Sequence, residues 1–155
     1  MEIEVKILDE RLREWGFPTY GSDMASGLDL YACLQQTLIL APYQSAVLIS
    51  SGLAIDIGDA GWCGLILPRS GEGHKRGLVL GNAVGLVDPD YRGPCYISAW
   101  NRNPPDPDDS GSITIHPGDR IAQLVLVRTC RPKWKEVSEL QSSERGLGGF
   151  GSSGA

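Results

Sequence analysis

Paired cysteines are the first thing this sequence lacks. Its four cysteines, Cys33, Cys63, Cys95 and Cys130, stand about thirty residues apart, with no CxxC spacing among them. Only His74 and His116 can join them, so no zinc site is expected. Reduced, half-buried thiols of a cytoplasmic protein are expected instead. Long apolar runs are also missing: none approaches the roughly 20 residues of a membrane span. The opening stretch Met1-Glu2-Ile3-Glu4-Val5-Lys6 is acidic and alternating, unlike a signal peptide. Positive charge is scarce, with 14 Lys and Arg against 19 Asp and Glu and a net charge of −5. A nucleic-acid polymer needs a basic face, so that class of partner is excluded. A small phosphate ligand is not, because a few arginines, backbone N–H groups and a divalent cation neutralise a triphosphate locally. No GxxxxGK[ST] loop occurs, and no amphipathic helical pattern runs beyond a turn or two.

Glycine, by contrast, is plentiful, at 20 of 155 residues, against an average usage of about 7%. Many turns and short strands follow from that excess. Apolar or alternating runs recur at 3–8, 28–32, 37–40, 46–49, 53–57, 62–67, 78–80, 95–100, 112–116, 121–127 and 133–137. Turn signals such as Gly58-Asp59-Ala60-Gly61 and Pro117-Gly118-Asp119 separate them. The pattern predicts one all-β domain, a sandwich, jelly roll or barrel-like fold with only short helical turns. We place that domain at residues 1–140 and a tail at 141–155. The segment 103–111, rich in proline and aspartate, is expected to be a solvated hairpin tip between two strands.

Five stretches carry chemistry. In Ser26-Gly27-Leu28-Asp29-Leu30, a strand points Asp29 away from the Leu28 and Leu30 face, where it is either simply exposed or holds metal-bound waters. Pro68-Arg69-Ser70-Gly71 ends an apolar strand with a cation, a hydroxyl and free N–H groups, a plausible phosphate cradle. The segment 81–93 reads as two extended arms around a turn. Asn82 offers both donor and acceptor to a base edge, and Tyr91 can pack under a sugar. Asp88 and Asp90 can each hold a water as general base, and residue type alone does not rank them. In Gly118-Asp119-Arg120-Ile121-Ala122-Gln123, Asp119 and Arg120 read as a turn residue and a surface charge, while Gln123 needs a partner if buried.

The fifth stretch is the tail, where Gly146, Gly148, Gly149, Gly151 and Gly154 surround Arg145, Phe150, Ser152 and Ser153. So many glycines oppose ordering, because each loses more backbone entropy than any other residue. A frayed end is the plain expectation for such a segment. Its guanidinium, ring and hydroxyls nevertheless suit a phosphate and a planar base, so a mobile tail that folds over a ligand is the alternative.

Taken in order, the stretches 26–30, 68–71, 81–93, 118–123 and 145–154 resemble the five motifs of the trimeric deoxyuridine triphosphatases, bacterial type. The resemblance spans nearly the whole chain. It implies a jelly-roll subunit, a homotrimer with three active sites shared between subunits, and Mg2+-dependent hydrolysis of dUTP to dUMP and pyrophosphate. That reaction keeps uracil out of DNA and supplies dUMP for thymidylate synthesis. Carried over by position, Asp88 orients the attacking water and Asp90 falls at a variable place. Tyr91 lies against the deoxyribose. Asn82 and the backbone of Leu86, Val87 and Asp88 read uracil. Arg69, Ser70, Gly71 and Gln123 hold phosphates, and Asp29 binds the metal through water. In the tail, Phe150 stacks on uracil while Arg145, Ser152 and Ser153 reach the β- and γ-phosphates. Ser153 stands where the family commonly has threonine, and the 103–111 loop is longer than usual. Two other readings are a related dCTP deaminase, which lacks the stacking tail, and a non-catalytic nucleotide-sensing trimer, which has no need of Asp88.

Overall fold

Alternation along single strands builds this molecule. In Pro94–Asn101, the side chains of Cys95, Ile97, Ala99 and Asn101 are buried while Tyr96 and Trp100 are exposed. That period of two is what a sheet with one face on a core requires. The computed structural model describes residues 2–105 and 111–147. Ten strands run in chain order: β1 (Glu4–Ile7), β2 (Leu28–Tyr31), β3 (Leu38–Leu40), β4 (Val47–Asp56), β5 (Trp62–Pro68), β6 (Leu78–Leu80), β7 (Gly85–Val87), β8 (Pro94–Asn101), β9 (Ile113–Ile115) and β10 (Arg120–Arg128). The helical pieces among the described residues are one turn, α1 (Arg11–Glu14), and a wide π turn at Glu72–Arg76.

The strands form two four-stranded sheets, ordered β1-β4-β8-β6 and β2-β10-β5-β7, and a small β3-β9 pair. Every pairing is antiparallel. Ile49, Leu53 and Ile97 of the first sheet meet Leu30, Ile66 and Leu124 of the second in one core, with Leu40 and Ile115 of the small pair closing it. The architecture is the all-β, jelly-roll-like sandwich that the strand pattern predicts.

Three expectations about the strands differ from the structure. The runs 46–49 and 53–57 are parts of one long strand, β4, whose pairing with β8 shifts register between Ser50 and Ala54. Gly52 sits at that shift with φ +75°, and a β-carbon there would collide with the Cys33 thiol. Glycine is required on both counts. The run 133–137 forms no strand, and its Trp134 is 92% exposed. A strand needs a neighbour for its N–H and C=O groups, and the folded body offers this segment none. The tip 106–110 and the residues from 148 onward lie outside the described residues, so Phe150, Ser152 and Ser153 do too. Segment 103–111 does lie between two strands in the chain, but it is not the expected hairpin tip: β8 pairs with β4 and β6, and β9 pairs with β3, because each strand finds its neighbours in a different sheet.

Candidate active site

Sheet order gathers the first group of candidate residues. Gln123 of β10 pairs with Asp29 of β2 on one side and with Leu67 of β5 on the other. Residues opposite one another share a face, and Arg69 follows Leu67 by two positions. Asp29, Gln123 and Arg69 therefore rise from the same side of the sheet. With Ser70, Gly71 and the loop residues Gly21, Ala25 and Gly27, they line a cleft of about 210 Å³.

Charge in this cleft is tightly organised. Asp29 is 4% exposed, so it is buried rather than a surface carboxylate. Its Oδ1 lies 2.9 Å from Arg69 Nε, and its Oδ2 accepts a hydrogen bond from Arg120 Nη1 at 3.0 Å. Arg69 Nη1 donates to the Arg120 carbonyl at 3.1 Å. A buried carboxylate needs such partners, since an unpaired one would be severely destabilising. Two guanidinium groups against one carboxylate leave net positive charge around Asp29. Glu72, the other acid in the lining, is ion-paired with Arg76 at 2.7 Å and does not cancel it. Gln123 Nε2 donates to the Pro68 carbonyl at 2.9 Å, which satisfies half its amide.

The second group gathers elsewhere. Asn82, Leu86, Val87, Asp88 and Tyr91 line a cleft of about 230 Å³ with Ile66, Pro94 and Tyr96. Asp90 is absent from this lining and belongs to a neighbouring hollow that Asp88 also borders. Val87 turns its side chain into the core while Leu86 points out, so the core fixes the backbone here. A tight turn precedes it: Val84 N–H donates to the Asn82 carbonyl at 2.7 Å, with Ala83 at φ +60°. Tyr91 N–H donates to the Asp88 carbonyl at 3.1 Å, and Tyr91 Oη donates to the Pro94 carbonyl at 3.0 Å. The ring is thus folded back over Gly93, where no β-carbon would fit.

The two clefts have no lining residue in common. Val87 pairs with Gly64 near the start of β5, while Arg69 follows its last residue, Pro68. Asp88 and Arg69 therefore leave opposite ends of one strand, roughly 20 Å apart at 3.3 Å per residue. Arg145 lies in the exposed turn 144–147 and lines neither cleft.

Residue spacing misses Arg120, which reads as a surface charge but is one of Asp29's two partners. Gly27 is missed as well. Both depend on cross-strand register, for which the local pattern carries no signal. Among the described residues, no group of three or more His, Cys, Asp or Glu is arranged to hold a metal ion. Both Asp29 oxygens are engaged by arginine, one contact each, so the carboxylate keeps acceptor capacity for a water or a cation.

A model of the dUTPase family matches residues 13–154. The chain belongs to the dUTPase family. It is 48% identical over 155 residues to the deoxyuridine 5'-triphosphate nucleotidohydrolase of Acinetobacter baylyi, covering 99% of each chain. It is 50% identical over 154 residues to that of Tolumonas auensis, covering 99% of this chain and 97% of the relative. Among solved structures, the dUTPase of Staphylococcus bacteriophage 80alpha with dUPNHPP matches at a TM-score of 0.84 and 31% identity, covering 99% of both chains. A mutant dUTPase from phage phi11 of S. aureus, described as coordinating a structural Mg(II) ion, matches at 0.77 and 26% identity. That match covers 92% of this chain and 100% of the phage protein. No helix among the described residues of this dUTPase is long and apolar enough to cross a membrane.

Proposed function

We propose that this chain hydrolyses dUTP to dUMP and pyrophosphate by in-line attack of water on the α-phosphorus. In doing so it keeps uracil out of DNA and supplies dUMP for thymidylate synthesis in the cytoplasm. The observation that carries this reading is the division of labour between the two clefts. One has the groups to read a nucleoside and hold a water; the other has net positive charge suited to a polyphosphate. Neither is a complete site. A homotrimer resolves this, with the Asn82–Tyr91 cleft of one subunit facing the arginine cleft of another.

Within that site, Asn82 and the backbone of Leu86, Val87 and Asp88 bind the uracil edge. A ring pinned over Gly93, that of Tyr91, leaves no room for a 2'-hydroxyl. Asp88, exposed in the cleft beside Asn82 and Tyr91, orients the attacking water and takes its proton. Arg69, Ser70, Gly71 and Gln123 hold the phosphate chain. Mg2+ bound to the triphosphate would neutralise developing charge there, with Asp29 holding its waters rather than the ion, in keeping with how reluctantly this cation dehydrates. Residues 1–140 form the body, and residues 141–155 close over the site. Phe150 stacks on the base, and Arg145, Ser152 and Ser153 reach the β- and γ-phosphates. Positioning and charge neutralisation supply most of the rate in phosphoryl chemistry of this kind.

The test is a panel of dUTP, UTP, dTTP and dCTP with pyrophosphate and ammonia both measured, alongside sedimentation. Pyrophosphate from dUTP alone, from a trimer, is the expected result. Ammonia from dCTP, or full activity in a sedimenting monomer, would overturn the reading.

A further inference from the structure

Arg120 should not be able to reach Asp29. In a regular strand, residues an odd number apart face opposite ways, and Arg120 is three positions from Gln123, the direct partner of Asp29. An irregularity removes the conflict. β10 pairs Ala122 with Leu30 but Arg120 with Tyr31, so Ile121 is an extra residue in the ladder. Ile121 and Ala122 are accordingly both buried, though adjacent. A bulge of this kind re-aims a side chain, and here it swings Arg120 onto the face that bears Asp29.

What Arg120 then does is more than neutralise a charge. Its Nη1 holds one Asp29 oxygen, Arg69 Nε holds the other, and its carbonyl receives Arg69 Nη1. The plane of the Arg69 guanidinium is therefore set at two points, and Arg120 stands behind both. A planar fork recognises phosphate only when its orientation is fixed. Both arginine heads remain part-exposed, and Arg69 itself lines the cleft while Arg120 supports it from outside the lining.

We propose that the Arg120 side chain is a positioning group for the phosphate cleft, acting through Asp29 to orient Arg69. The proposal rests on the nucleotide-binding reading above, so its test has a readout apart from turnover. Binding of inorganic tripolyphosphate to the full-length protein is measured by calorimetry for wild type, Arg120→Lys and Arg120→Met, together with KM and kcat for dUTP. Affinity should fall in the order wild type, Lys, Met. In the Met variant, KM should rise about tenfold while kcat stays within about threefold, the pattern of lost substrate positioning. Adding Arg69→Lys to Arg120→Met should weaken binding little further, since both changes remove the same orientation.

A merely structural role predicts something else: a lowered melting temperature, unchanged affinity in the folded fraction and additive effects. Any of the last two overturns the proposal. If the Met variant fails to fold, the Lys variant decides alone, because it keeps the charge but loses the fork. Wild type that binds tripolyphosphate but leaves dUTP intact overturns the proposed activity and leaves Arg120 to be judged by binding. Wild type that hydrolyses dUTP but binds no tripolyphosphate leaves the activity standing and overturns the role given to Arg120.

Discussion

Gly27 lies so close to the Gln123 carboxamide that no β-carbon fits between them. Gln123 can move aside only by giving up the hydrogen bond from its Nε2 to the Pro68 carbonyl at 2.9 Å. Gly27→Ala should therefore rotate the amide out of the cleft. The stability loss should be about 1 kcal/mol, the low end for overpacking, because the atom in the way is the end of a side chain. The functional loss should be larger, read as a several-fold rise in KM for dUTP. Unchanged kinetics in this variant would take Gln123 out of the phosphate site.

Asp88→Asn should keep the fold and dUTP binding but lower turnover by about 100-fold or more, the usual range for removing a general base. The amide is nearly isosteric but accepts no proton from water. Asp90→Asn should change kcat far less, since Asp90 does not line the cleft that holds Asn82 and Tyr91. The reverse ranking would move the base to Asp90.

On the proposed role of its ring, Tyr91→Ala should raise UTP hydrolysis relative to dUTP, since nothing would then keep a 2'-hydroxyl out. Tyr91→Phe keeps the ring and loses only the hydrogen bond to the Pro94 carbonyl, worth about 1 kcal/mol. It should keep the dUTP preference. Equal dUTP-to-UTP ratios in wild type and the Ala variant would remove Tyr91 from the sugar pocket.

Truncation before Arg145 should leave a folded trimer that binds dUTP and turns it over poorly. Ordering some ten residues opposes closure by about 1–2 kcal/mol each. Stacking, at about 1–3 kcal/mol per base, and charge-assisted phosphate contacts only partly offset this. The proposed closure should then be marginal and reversible, which suits product release. Phe150→Ala should lower kcat/KM roughly tenfold on the same stacking value. Full activity in the truncated protein would make the tail a frayed end.

The cysteines should differ sharply toward iodoacetamide at pH 8. Burial, and then the Asp9 carboxylate, pushes the Cys33 thiol up to about 12. Only about one molecule in ten thousand then carries the reactive thiolate. Burial also raises Cys95, and Cys63 is buried, while Cys130 is exposed. Mass spectrometry of the native protein should find one added group, on Cys130. Equally fast labelling of Cys33 would contradict the burial argument.

Strand placement was determined by the sequence itself, because alternation records locally which face each residue gives to the core. The runs 28–32, 62–67, 95–100 and 121–127 reappear as β2, β5, β8 and β10 with ends moved by a residue or two. The candidate residues were legible too, since their chemistry is carried by type: Asp88 in a turn, Arg69 at a strand end, Gln123 among apolar neighbours. Tertiary structure decided what depends on pairing between distant segments. It set Asp88 and Arg69 at opposite ends of β5. It left 133–137 without a neighbour, although its alternation matches that of the real strands. It also brought Arg120 to Asp29 through one extra residue in β10. A one-residue shift reverses which face a side chain occupies, so no local pattern could disclose that contact.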